Sequence, residues 1–391
     1  MIEEKYMREF AYLKDVAYLD VASVGLQPER TLAHCRQFQQ EFVDSYGRLC
    51  FGSYARMRSA VAANLARLIG ADIPSCEEEG EILFTTNTTE GNSLLSGCLP
   101  LEKGDSVISG SGEYPSVVLG WAMRQKEGIC LKLAPCVNGT VDAEEIIGRM
   151  DESTRVVELS FVQYMSGFRA DLRKIGRACR ERGILFSVDA IQGLGRNPVD
   201  VKDMCIDILS CGAFKGLFGP FGTGFAYVRR EVIPQLVPRW HGDGNLQVRE
   251  EELQSLKQLP VYPYREGIRR LEGGSRNTYG ITAMGKNVEL LLEIGIDRIH
   301  EQVISLERFF REQTAIKELP VSFAGSARPE YWSGNVCLHY APERTRQVEK
   351  ALETRKIYAR VSKGFLRLGL HYYNTQEQME RVADALKEAL D

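Results

Sequence analysis

Short apolar runs alternate with longer stretches of helical periodicity through the first two thirds of the chain. Glu81-Ile82-Leu83-Phe84, Ser106-Val107-Ile108, Val156 to Ser160, Ile184 to Val188 and Ile206 to Leu209 each read as a buried strand, with Gly224 to Val228 as a sixth. Between them, Asp171 to Arg182 places Leu172, Ile175, Ala178 and Cys179 on one helical face, and Gly183 stands where that helix should end. Strands alternating with one-faced helices predict a mostly parallel sheet covered by helices. After about residue 280 the texture changes. A long amphipathic stretch runs from Ala283 to Leu319, strand-like pieces follow at Val336 to Leu338 and Phe365 to Leu368, and Thr375 to Leu390 closes the chain as a helix with Met379, Val382, Leu386 and Leu390 on one stripe. The expected organisation is a large domain over 17–285 and a smaller α+β domain over 286–391, joined by the N-terminal segment 1–16. No internal repeat or low-complexity linker interrupts it.

Composition narrows the function classes. The 391 residues are 44% hydrophobic and 26% charged, enough for two packed domains, and the net charge of -4 offers no positive field for a phosphate backbone, so nucleic acid is not an expected partner. The acidic start Met1-Ile2-Glu3-Glu4-Lys5 lacks a signal-peptide pattern, and no apolar run approaches the ~20 residues of a membrane span; a cytoplasmic location is the expectation. Ten cysteines without a C-x-x-C pair suggest neither zinc nor a disulfide framework, and five histidines without ligand spacing give no metal site.

In open parallel sheets ligands bind beyond the carboxyl ends of the strands. Four polar clusters stand at such ends. Thr85-Thr86-Asn87-Thr88-Thr89-Glu90-Gly91 opens a helix and offers hydroxyls and backbone N–H groups at its positive end, either to cradle a phosphate or simply to cap the helix. In Val188-Asp189-Ala190-Ile191-Gln192 a strand ends in a carboxylate that either caps a helix or pairs with a cationic ring nitrogen. Lys215 lies between a strand and the glycine-rich run Gly216 to Gly224; burial there would lower its pKa and give a neutral amine nucleophile, the alternative being a lysine that snorkels to solvent. Gly110 to Ser116 places Tyr114 beside the same edge. Together a phosphate cradle, a strand-end acid, a strand-end lysine and an aromatic ring meet the needs of one cofactor.

At these residues the chain resembles the class V aminotransferase family of pyridoxal 5'-phosphate (PLP) enzymes, which includes cysteine desulfurases, cysteine lyases, isopenicillin epimerases and transaminases. The ordered series runs from Tyr18-Leu19-Asp20-Val21-Ala22-Ser23 through Thr85 to Glu90, Glu113 to Trp121, Asp189 to Gln192, Lys215 to Gly224 and Gly274-Ser275-Arg276-Asn277-Thr278 to Arg367 through Thr375. The resemblance implies the α/β PLP-dependent transferase fold type I. It implies that Lys215 holds the cofactor as a Schiff base and moves protons at the substrate Cα, that Asp189 keeps the ring nitrogen protonated, and that Gln192 reaches the ring hydroxyl. Tyr114 would stack on the ring where relatives often carry His. Thr88 and Thr89 would hold the phosphate, and Ser275 would reach the phosphate of the neighbouring subunit, implying a homodimer with shared sites. Arg367 would take the carboxylate of a small L-amino acid.

The sequence departs from the family at three places. Where many relatives have Ser-Gly-His-Lys, this chain has Gly212-Ala213-Phe214-Lys215, so two phosphate contacts are missing, and Arg276 or backbone N–H groups are the replacements considered. The ring-contacting Asn is replaced by Phe161-Val162-Gln163-Tyr164, leaving Gln163 or Tyr164 as the substitute. The stretch from Tyr358 to Leu366 lacks the persulfide-forming cysteine of desulfurases, and Cys337 lies 30 residues before Arg367. The leading expectation is an aminotransferase, with cysteine or other β-eliminating C–S lysis as the alternative and a non-catalytic PLP-fold sensor as a more distant one. Tyr114, Tyr164, Tyr372 and Trp240 are candidates to line the pocket.

Overall fold

The computed structural model describes residues 2–48, 53–74, 80–249 and 261–391. Strand β1 (Ala17–Tyr18) is followed by β2 (Ile82–Thr85), β3 (Ser106–Gly110), β4 (Cys130–Ala134), β5 (Thr154–Ser160), β6 (Leu185–Asp189), β7 (Ile208–Gly212) and β8 (Gly224–Val228). β2 to β8 form a seven-stranded sheet in the order β2-β8-β7-β6-β5-β3-β4. Neighbours from β4 across to β7 run parallel, whereas β8 is antiparallel to both β7 and β2. The central strands are buried on both faces, which is why they read as continuous apolar runs and not as alternating ones.

Two departures from the expected strands have physical causes. β4, absent from the sequence reading, is an edge strand whose Cys130 and Leu133 are exposed and whose Lys132 pairs with Asp151, so it lacks a buried apolar run. β7 begins two residues later than expected because Asp207 precedes the strand as a buried anchor: its carboxylate accepts from the Phe186 amide at 2.8 Å and pairs with Arg229 at 2.6 Å.

The helix expected over 171–182 spans Leu172–Glu181, with Asp171 capping its start and Gly183 in the left-handed region after it. The amphipathic stretch from Ala283 is two helices, Thr278–Ile294 and Ile296–Ile316, broken at Gly295. The boundary expected at 285/286 falls inside the first of these, which packs on helices Glu29–Asp44 and Ser53–Ile69.

The C-terminal part contributes β9 (Ser322–Phe323), β10 (Asn335–His339), β11 (Ile357–Tyr358), β12 (Arg360–Ser362) and β13 (Phe365–Gly369). An antiparallel sheet of order β12-β13-β10-β9 forms from four of them. The closing helix Gln376–Leu390 starts in a capping box between Thr375 and Gln378 and packs against Ile296–Ile316 and Thr345–Thr354. β1 pairs in parallel with β11, and Asp20 bridges to Gly369, so residues 17–20 belong spatially with the C-terminal strands. Five residues further on, the Gly25 N–H donates to the Phe214 carbonyl at 2.7 Å. The N-terminal strap thus runs from the small sheet to the loop carrying Lys215. Among the described residues no helix is long and apolar enough to cross a membrane. Eight described cysteines are unpaired, and Cys50 and Cys76 lie outside the described residues.

Candidate active site

A cleft with about 140 Å³ of internal space opens beyond the carboxyl ends of β2, β5, β6 and β7. Asn87, Thr88 and Thr89 bound one side, Tyr114 and Tyr164 another, and Asp189, Gln192, Phe214 and Lys215 the floor. Of the nine residues expected in the site, six therefore line one cavity.

Asp189 is the last residue of β6 and is buried. Its Oδ1 accepts from the Ile191 amide at 3.1 Å and its Oδ2 from Asn92 Nδ2 at 3.1 Å. Burial raises its pKa, partly offset by these bonds and by Lys215. Among the described residues it forms no ion pair within 4 Å, and Lys215 is the cation whose field reaches it. Asn92, which the sequence reading missed, lies four residues after Thr88 on the same helical face, a spacing that would have found it.

Lys215 follows β7, and burial lowers its amine pKa to about 8, with Asp189 opposing the shift and Arg367 adding to it. Its backbone is held tightly. A Cβ on Gly25 would stand 2.1 Å from the Lys215 carbonyl oxygen, and one on Gly195, at φ +88°, 2.3 Å from the Gly216 oxygen. Lys215 is part-buried and lines the cleft. Phe214 stacks on Phe221 with ring centroids 4.6 Å apart, giving an apolar wall where relatives carry His.

The phosphate end is built on helix Thr88–Cys98. Asn87 caps it by accepting from the Glu90 amide at 2.9 Å, and the Thr88 hydroxyl accepts from the Gly212 amide at 2.9 Å, tying the helix to the end of β7. Asn87 thus caps the helix, and Asn87, Thr88 and Thr89 all line the cleft. Arg276 reaches Glu90 in the same turn at 3.3 Å. Ser275 is exposed and outside the cleft of its own chain.

Arg367 lies on β13, buried, with Nη1 donating to the Tyr164 carbonyl at 3.0 Å and Nη2 to Ser23 Oγ at 2.8 Å. Its Nε is buried without a partner, and Asp20 stands 3.9 Å from Nη2. Burial lowers its pKa while it remains a cation. Tyr164 meets Tyr114 edge to face, ring centroids 5.3 Å apart. Tyr372 and Trp240 are elsewhere: Tyr372 packs among Phe10, Phe218 and His371, and Trp240 donates to the Leu271 carbonyl.

Gln163 does not line the cleft. Its Nε2 donates to Glu113 Oε1 at 2.7 Å, and Tyr164 occupies the wall instead. Glu113 also accepts from the amide and hydroxyl of Ser160, and burial raises its pKa to about 7. Glu158, hydrogen-bonded to the Trp121 indole, is pushed up further by burial and by its acidic neighbours Asp189 and Glu113. Two carboxyl groups whose pKa burial raises thus lie behind Asp189.

Cys337 is the ladder partner of Arg367 across β10 and β13, close in space despite 30 residues of separation in sequence. It is fully buried, and its thiol is pushed up to about 12 by burial. Among the described residues no cysteine lines the cleft.

These groups suit PLP: a buried carboxylate for a cationic ring nitrogen, an amine of lowered pKa, and a helix N-terminus for an anion. The sequence profile of the class V aminotransferases matches residues 17–382. A probable cysteine desulfurase of Methanothermobacter thermautotrophicus is 27% identical over 407 residues, covering 99% of this chain and 98% of the relative. The apo structure of a cysteine desulfurase from Thermococcus onnurineus NA1 superposes with a TM-score of 0.87 at 22% identity, covering 100% of this chain and 98% of the other. The cystine C–S lyase C-DES, solved with its product cysteine persulfide, gives 0.84 at 19% identity over 97% and 99% of the two chains. The solved structures share the fold, the relative spans the whole chain, and the profile covers nearly all of it: the protein belongs to the class V aminotransferase family of PLP-dependent enzymes.

Proposed function

We propose that the protein is a cytoplasmic, homodimeric transaminase of a small L-α-amino acid. The observation that carries this reading is Lys215, an amine lowered to about 8 by burial, lining one small cleft with the buried Asp189. PLP bound there supplies an electron sink for the charge left at Cα when a bond to that carbon breaks.

Each chain residue then has a task. Lys215 holds the cofactor and takes and returns the proton at Cα, a role that needs its pKa near neutrality. Asp189 keeps a positive charge on the ring nitrogen, and Asn92 with the Ile191 amide holds that carboxylate in place. Arg367 takes the substrate carboxylate, its fork already oriented by Tyr164 and Ser23. Tyr114 covers the ring face, and Tyr164 limits the side chain that fits. Thr88, Thr89 and the first-turn N–H groups hold the phosphate, with Ser275 offered to the neighbouring subunit across a dimer interface.

Direct β-elimination is the second reading. It is favoured by the desulfurase name of the full-length relative together with the absence of a thiol among the described residues that line the cleft. Single-turnover spectra with individual L-amino acids, read with keto acid, ammonia and sulfide, separate the two. Conversion of the cofactor to pyridoxamine phosphate with one keto acid per site supports transamination; its regeneration while pyruvate with ammonia or sulfide accumulates supports elimination.

A further inference from the structure

Gln192 sits in a hydrogen-bond chain whose direction is fixed from one end. Arg196 is fully buried and has no carboxylate partner among the described residues; Nη1 donates to Asn335 Oδ1 at 2.8 Å and to the Leu370 carbonyl at 3.0 Å, and Nη2 donates to the Gln192 carbonyl. A guanidinium can only donate, so Asn335 must present its oxygen to Arg196 and its NH2 the other way. That NH2 meets Gln192 Oε1 at 2.9 Å. The Gln192 amide is oriented in turn: Oε1 is committed to Asn335, and one Nε2 hydrogen is used on the Ala22 carbonyl at 3.1 Å. What remains for the cleft is the second Nε2 hydrogen, a donor.

We propose that Arg196 and Asn335 are positioning residues that lock Gln192 as a hydrogen-bond donor toward the ring hydroxyl of the cofactor. Asn335 lies on β10 of the small sheet and Arg196 in the large-domain segment after β6, so the lock closes only when the two parts are packed together. This rests on the reading that Gln192 faces the ring hydroxyl. A donor there stabilises the ring oxygen as an anion, which lowers the pH at which the lysine-linked cofactor loses its shared proton and changes colour.

The test is a pH titration of the visible absorbance of the holoenzyme. Asn335→Asp keeps the shape but turns an oxygen toward Gln192 Oε1, so the amide is no longer held in its donor orientation. The expected result is an upward shift of the titration midpoint by roughly one pH unit, a tenfold change in the equilibrium. Gln192→Leu should give the same shift, and the double variant no more than either alone, because both act through one bond. Should Asn335→Asp fail to fold, Asn335→Leu, which removes the donor without adding charge, must shift the midpoint in the same direction. A shift in Gln192→Leu but none in the Asn335 variants overturns the lock and leaves Gln192 at the ring; no shift in Gln192→Leu overturns both. Additive shifts would also defeat the proposal, since they would place Asn335 on a separate route to the cofactor.

Discussion

Asp189→Asn separates charge from shape at the floor of the cleft. Both carboxylate oxygens are acceptors in the structure, Oδ1 for the Ile191 amide and Oδ2 for Asn92 Nδ2. An amide has one accepting end, so in the variant its oxygen keeps the Ile191 amide while its NH2 meets Asn92, whose own amide can turn its unpartnered Oδ1 to accept. The chemical effect is separate. An opposite charge beside a titrating group moves its pKa by about 1–3 units, each about 1.4 kcal/mol, so removing the carboxylate should cut the protonated ring population and the rate of Cα–H cleavage by roughly 10- to 1,000-fold. Exchange of the substrate Cα proton for deuterium, followed by NMR on protein of known cofactor content, reads that step without regard to its later fate. Asn92→Leu, which removes one hydrogen bond but no charge, should slow exchange by about tenfold at most. Exchange within twofold of wild type in Asp189→Asn at full cofactor content would refute the assignment of Asp189 to the ring nitrogen.

Other outcomes follow from the same geometry. Lys215→Ala should lower turnover by at least about 10³-fold, and borohydride treatment followed by mass spectrometry should add no cofactor mass to it. Capture of PLP by the cofactor-free protein requires the neutral amine, so its rate should rise with pH and level off above about 8, where Lys215 is mostly deprotonated; a rise continuing tenfold per unit to pH 10 would contradict a depressed pKa. Arg367→Lys should raise KM for α-amino acids by about 10- to 100-fold through loss of the two-pronged contact, and leave an amine lacking the carboxylate unaffected in steady-state assays. Gly195→Ala, whose Cβ would stand 2.3 Å from the Gly216 oxygen at a left-handed backbone position, should lower both the melting temperature and the cofactor content.

Much of this was legible from local pattern. Central strands announced themselves because burial on both faces leaves no room for polar alternation, and residues that end such strands, Asp189 and Lys215, stand out by type. β4 was missed because an edge strand carries no such signal. The assignments that failed were those needing a direction: Gln163 was placed in the cleft by sequence position, but its side chain serves Glu113, while Tyr372 and Trp240 were named for being aromatic and are packed elsewhere. Partners brought by distant segments, such as Ser23 on Arg367, Asn335 on Gln192 and Cys337 opposite Arg367, leave no trace in local sequence. Asn92 did leave one, its spacing from Thr88.

The N-terminal strap explains how a site drawn from two sheets keeps its geometry. Leu19 joins the small sheet through bonds to Tyr358 and Gly369. Within the next six residues, Ala22 receives Gln192, Ser23 receives Arg367, and Gly25 binds the Phe214 carbonyl beside Lys215. One short segment therefore touches the Gln192 amide, Arg367 and the loop carrying Lys215. A rigid-body shift of the small sheet would have to break or carry these bonds together, because residues so close in sequence cannot move independently by more than the few ångströms of the intervening backbone. Arg367 gains a fixed placement relative to Lys215 in this way, which the proposed transfer of a proton at a substrate carbon would require.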